Sequence, residues 1–318
     1  MDAIRLTPDA HTLVIFDTHA PLTQIITAAY RLAIPNAEFL DFDSVTPEFV
    51  IEKIRSLNEK DFVVLVQSMN FRLNEFRLRI ELFSRGLKTV EHIHLARMSE
   101  DQFETYLDSL AYDKEYYRPL GRALKQKLDA SKKITVHCFG GTELVYNTKM
   151  EDAKLNIGDY SEMKNTGGTF PIGEVFTEAV NFDEVNGDAM IFGYADKNHL
   201  VKIVEPFPVH IEKSQMTAPN APAEFQEILE MIREDEQVVV REFGLSLNPA
   251  MSKTKIVNDI TAYERQLGLH FSIGAKHTIY AKPGLHRKKG RYHVDIFVDI
   301  DKILFDEEEI FHDGAFHV

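Results

Sequence analysis

Short apolar runs and stretches of helical period alternate through the first third of the chain. Runs at 12–16, 38–42, 62–67 and 90–95 have the length and residue types of strands, while 22–32, 48–57 and 73–83 space their apolar residues as helices do. Such alternation predicts a parallel sheet with helices packed on it. From 99 to 133 the pattern is helical and heavily charged with mixed signs, which predicts solvated connecting helices. From Ile134 the style changes: ITVHCFG, GTELVYNT, DAMIFGYA and HLVKIVEPFPVHIE read as strands punctuated by Asn, Gly and Pro. A helix over 223–235, the strand QVVVREFGLSL and a second helix over 256–267 follow. The expected fold class is α/β, α+β overall. An N-terminal α/β domain with its connecting helices spans 1–130, and a β-rich domain spans 131–318.

Composition narrows the function. The chain has 318 residues, 44% of them hydrophobic, enough for two cored domains. Its 36 basic against 50 acidic residues give a net charge of −14, a field that disfavours nucleic acid and anionic membrane surfaces as partners. Cys138 is the one cysteine, so an intrachain disulfide and a cysteine-based zinc site are both excluded. No apolar run reaches the roughly 20 residues of a membrane span, and the opening MDAIRLTPDAH lacks a basic region followed by an apolar one. A cytoplasmic location is the expectation.

Any metal must therefore be held by His and carboxylates. Asp17, after the apolar run LVIF, sits where α/β sheets bind nucleotides, but no glycine-rich turn follows it, and a scaffolding role is preferred. The second domain is richer. In YHVDIFVD a strand period puts His293 and Asp295 on one face, about 6.6 Å apart. In GLHFSIGAKH, His270 and His277 reach one site if the chain bends at Gly274. In VVVREFGL, simple alternation places Glu242 with Val238 and Val240, where a carboxylate needs a partner. In GGTFPIGEVFT a glycine-rich approach leads to Glu174. Three carboxylates and three imidazoles without a thiolate match hydrolytic centres of one or two metals, and they also suit non-haem iron.

The order and wording of NTGGTFPIGEVFTE, EFGLSLNP, YERQLGLHFSIG and HVDIFVD resemble the aminopeptidase T family of metallopeptidases, as does GTELVYNT before them. This resemblance covers roughly 134–318. It implies that Glu174, Glu242, His270, His293 and Asp295 bind two divalent cations (Zn, Co, Mn or Mg), with Glu264 in a supporting role. It also implies removal of N-terminal residues from peptides, with Glu174 or Glu242 accepting the proton of the attacking water, and a homodimer. Where these peptidases carry a tyrosine seven residues after the first histidine, this chain has His277, an imidazole that could donate to an oxyanion or join a metal. The basic run 286–291 reads as a solvated hairpin tip in preference to a lid that grips a substrate carboxylate. A 2,5-dihydroxypyridine dioxygenase resembles the same superfamily, which leaves one Fe(II) held by His270, His293 and Asp295 as an alternative. A non-catalytic relative that binds a peptide or partner protein is the third reading.

Overall fold

The computed structural model describes every residue except Met1, Pro8, Asn74, Glu75, Glu162 and 276–290, and the side chains of Arg72, Phe76 and Arg77. The described chain divides into two compact units, Met1–Glu115 with Gly158–Ile172, and Tyr116–Ile157 with Gly173–Val318.

The first unit carries a five-stranded parallel sheet in the order Gly167–Thr169, Lys88–His92, Phe62–Val66, Thr12–Phe16, Glu38–Asp41. Thr12–Phe16 and Phe62–Val66 are buried throughout, as expected of central parallel strands covered on both faces. On one face Leu13, Ile15, Val63 and Leu65 pack against Val50, Ile54 and Leu82. The helix Pro21–Ala33 starts on a proline, and Pro47–Arg55 adds a Thr46 cap whose hydroxyl accepts from Phe49 N. Asp17 is buried, and its carboxylate accepts the N–H groups of His19 and Ser68, tying two strand ends together.

Two expectations change here. The helix expected over 73–83 begins only at Leu78; before it Arg72–Leu73 and Phe76–Arg77 pair as antiparallel strands, while Leu73, Leu78 and Leu82 still reach the core. The boundary expected at 131 also differs. The helix Lys114–Ala130 lies in the second unit from Tyr116 onward, and 158–172 returns to the first. Its strand Gly167–Thr169 joins the parallel sheet so closely that a Cβ on Gly167 would overlap the Thr89 carbonyl. The carboxylate of Glu91 secures it, accepting from the Thr169 hydroxyl and the Gln67 amide and pairing with Arg79 at 2.7 Å.

The second unit is a large antiparallel sheet of thirteen strands. The four that matter run side by side: Glu174–Glu178, Val240–Ser246, Gly268–Gly274 and His293–Val298. Phe243 and Phe271 face an apolar layer with Tyr146 on one side of this sheet. The helix expected over 256–267 shrinks to Ile260–Tyr263. Asp259 caps its start, and tertiary backbone bonds, Asn248 N to Arg265 O and Leu267 N to Met251 O, draw the chain out of helical geometry.

Candidate metal centre

Residues directly opposite each other in an antiparallel ladder share a face. Glu174 lies opposite Ser246, Ser246 opposite Gly268, Gly244 opposite His270, Ser272 opposite Asp295, and Gly274 opposite His293. One face of four adjacent strands therefore presents Glu174, Ser246, His270, Asp295 and His293. Glu242 joins them by means of a bulge. The register shifts between Val240 and Phe243, so Val240 pairs with Ile273 on the apolar face and Glu242 falls on the polar one, opposite Glu178. Sharing a face with Val240, as simple alternation suggested, is thus overturned by one extra residue. The bulged Glu242 N–H is received by the Ser272 hydroxyl.

The imidazole of His270 is fully buried and lies over Gly244, where a Cβ would overlap the ring. Its Nδ1 is 2.9 Å from Ser246 Oγ, and that hydroxyl donates its own proton to the Glu264 carbonyl at 2.6 Å. Ser246 has one proton to give, so the Nδ1–H of His270 must be the donor to its oxygen. The Nε2 then faces Glu174 Oε1 and Glu242 Oε1, each at 3.3 Å. Ligand atoms of Glu174, Glu242 and His270 all lie within 4.8 Å of one another. Three electron-pair donors this close repel unless a proton or a cation lies among them. With a proton alone, burial would depress His270, yet the two carboxylates outweigh it and raise the imidazole to about 10.

Arg265 holds the far side of the cluster. One of its nitrogens is 2.8 Å from Glu174 Oε2 and another is 2.9 Å from Glu264 Oε1. Burial pushes the Glu174 carboxyl up, but Arg265 and His270 outweigh it and the net shift is downward. Glu264 is raised to about 8, by burial first and by the charges of Asp295 and Glu174 after it.

His293 and Asp295 form a second pair, with Nε2 3.2 Å from Asp295 Oδ1. His293 Nδ1 lies 3.2 Å from the Ala275 carbonyl, an acceptor only, so this ring too keeps its proton on Nδ1 and turns Nε2 towards a carboxylate. Asp295 Oδ1 is buried with that ion pair as its contact; burial would depress His293, but Asp295 outweighs it and raises the imidazole to about 10. Nδ1–H groups fixed by oxygen acceptors and Nε2 atoms aimed at buried carboxylates are the features of a divalent-cation site. The donor set fits one.

Five of the six residues singled out in the sequence thus share one face: Glu174, Glu242 and His270 converge, and His293 and Asp295 pair beside them. His277 and the basic residues 286–290 lie outside the described residues. Ser246 and Arg265 were not singled out. Ser246 was legible as the third member of the period-two set Glu242, Gly244, Ser246, whereas Arg265 carries no pattern that points to Glu174.

The chain matches no protein-family model and no curated protein. Its fold is similar to that of solved structures. One is 2,5-dihydroxypyridine dioxygenase from Pseudomonas putida KT2440, 14% identical, with a TM-score of 0.63 over 97% of this chain and 92% of that one. Another is wild-type AmpT, an aminopeptidase T, from Thermus thermophilus, 12% identical, with a TM-score of 0.59 over 99% of this chain and 96% of that one.

Proposed function

We propose that this chain is a metal-dependent hydrolase of the aminopeptidase type, with Glu174, Glu242, His270, His293 and Asp295 as ligands of divalent cations. The observation that carries this reading is the convergence of Glu174, Glu242 and His270 on one point. The fold likeness to AmpT supports it. A bound divalent cation supplies Lewis-acid chemistry, acidifying water and polarising a carbonyl.

The chain's own residues do the rest. Ser246 and the Ala275 carbonyl fix the Nδ1 side of the two imidazoles and leave Nε2 inward, where a proton sits in the cation-free protein and a cation can replace it. Arg265 keeps Glu174 ionised, the state a proton acceptor needs, and leaves Oε1 turned towards His270. Glu174 accordingly takes the proton of the attacking water. Burial of the cluster strengthens each of these interactions by excluding solvent.

The substrate in this reading is a peptide with a free N terminus, acted on by a cytoplasmic homodimer holding two cations drawn from zinc, cobalt, manganese and magnesium. No helix among the described residues is long and apolar enough to cross a membrane. His277 completes the proposed catalytic set as a donor to the oxyanion, in place of the family's tyrosine. The second reading, a ring-cleaving oxygenase with one Fe(II) on His270, His293 and Asp295, draws on the fold likeness to the pyridine dioxygenase. Four buried or half-buried carboxylates around one imidazole favour the hydrolase, because two imidazoles and one carboxylate suffice for iron.

The test is turnover of short peptides by cation-loaded protein, read as released amino acid. Free N-terminal peptides should be cleaved, N-acetylated ones spared, and Glu174→Gln should lose at least a hundredfold in kcat. Oxygen uptake with dihydroxylated aromatics and no peptide cleavage would replace this reading with the second.

A further inference from the structure

The first unit, which contains none of the residues above, has a cavity of about 240 Å³ beside the helix Pro21–Ala33. It lies against the sheet face that carries Phe62, Val64 and Val90, opposite the aliphatic core of Val63 and Leu65. Its walls are mostly apolar, from Ile4, Ile26, Phe62, Val90 and Phe170, and it opens beside Ala29 and Ala33, small residues exposed on the helix. Well-packed interiors leave few voids larger than a water molecule, and an apolar void large enough for a ring binds small apolar molecules. The space here is ring-sized.

Its polar lining residues are Tyr112, whose hydroxyl donates to the Gly158 carbonyl at 3.0 Å, and the pair Tyr30 and His92. The Tyr30 hydroxyl is 2.9 Å from His92 Nε2, and the Tyr106 hydroxyl is 3.4 Å from Nδ1 on the other side of that ring. Burial holds His92 neutral, pushing it down to about 4, and pushes the Tyr30 phenol well up. With His92 occupied on both nitrogens, the Tyr30 oxygen keeps a further hydrogen-bonding position at the cavity wall. Among the described residues no Asp, Glu, Lys or Arg lines the cavity, so a charged ligand would be buried there without a counter-ion.

We propose that this cavity binds a small uncharged aromatic molecule bearing one hydroxyl or ring N–H, with Tyr30 as its hydrogen-bond partner. The aromatic walls of Phe62 and Phe170 supply ring contacts, and the Tyr30–His92 pair sets the ligand's orientation.

The experiment is calorimetric titration of the full chain with indole, and with 1-methylindole as the probe lacking the N–H. Indole should saturate one site per chain. Ala29→Leu and Val90→Phe, which fill the space from the helix and from the sheet, should each weaken it at least tenfold. Tyr30→Phe should remove the preference for indole over 1-methylindole. Circular dichroism confirms folding, and the two filling variants guard against one that fails to fold. Absence of saturable binding by either probe, or indole binding unchanged in both filling variants, overturns the proposal.

Discussion

The Nδ1 of His270 and the hydroxyl of Ser246 are 2.9 Å apart, and the Ser246 proton is committed to the Glu264 carbonyl. That single hydroxyl decides which nitrogen of a buried imidazole is free to bind a cation. Without it, the Nδ1 proton loses its acceptor and the ring is no longer held with Nε2 between Glu174 and Glu242.

Replacing Ser246 should therefore act on the cation rather than on the fold. Ser246→Ala is expected to weaken divalent-cation affinity roughly 10- to 100-fold, the usual effect of removing a group that orients a ligating histidine. Competition with a chelating dye measures it. An unchanged affinity would show that Ser246 does not set the tautomer.

Gly244 gives the His270 ring its seat. A Cβ at 244 overlaps the ring atoms, and the contacts to Ser246, Glu174 and Glu242 hold the ring where it lies. Gly244→Ala should cost about 1–3 kcal/mol of stability through overpacking, and should also displace Nε2 from the two glutamates. Chemical denaturation and cation titration on the same variant read both effects; full stability would contradict the packing described.

The cluster also fixes a pH dependence. In cation-free protein the glutamates raise His270 from 6.5 to about 10, so the folded state binds this proton more tightly than the unfolded chain does. The resulting stabilisation is fully present below pH 6.5 and is lost as pH rises through about 10. A divalent cation competes for the same Nε2, so its affinity should increase with pH over that window. Thermal midpoints recorded from pH 6 to 10 in chelator should fall, and those of cation-loaded protein should fall less.

In the first unit, Glu91 anchors the strand Gly167–Thr169 through Thr169, Arg79 and Gln67. Glu91→Ala leaves Arg79 facing an empty acceptor. The expected loss is about 3 kcal/mol, towards the low end for a broken buried pair because Arg79 is partly exposed. Limited proteolysis should then cut near 158–172 first; uniform cleavage would argue against the anchor.

Much of this was legible in local pattern. Continuous apolar runs marked the strands Thr12–Phe16 and Phe62–Val66, and His293-Val294-Asp295 declared its shared face by spacing alone. Glu242 was legible as a carboxylate in need of a reason, but its face was not, because the bulge after Val240 depends on pairing with a strand thirty residues away. Gly167-Gly168-Thr169 has no apolar alternation to announce a strand; it belongs to the parallel sheet because glycine lets backbones meet closely. Arg265 lies in a segment patterned as helix, and tertiary bonds that no local pattern encodes end that helix at Tyr263.

Counting cations per chain shows most directly whether Glu174, Glu242 and His270 hold a divalent cation. Metal content by mass spectrometry after reconstitution would be compared in wild-type protein, Glu242→Gln and Asp295→Ala, each shown to be folded. Bound divalent cation is expected in the wild type, with depletion in both variants. No bound cation in the wild type with zinc, cobalt, manganese, magnesium or iron, or equal content in all three proteins, would contradict it.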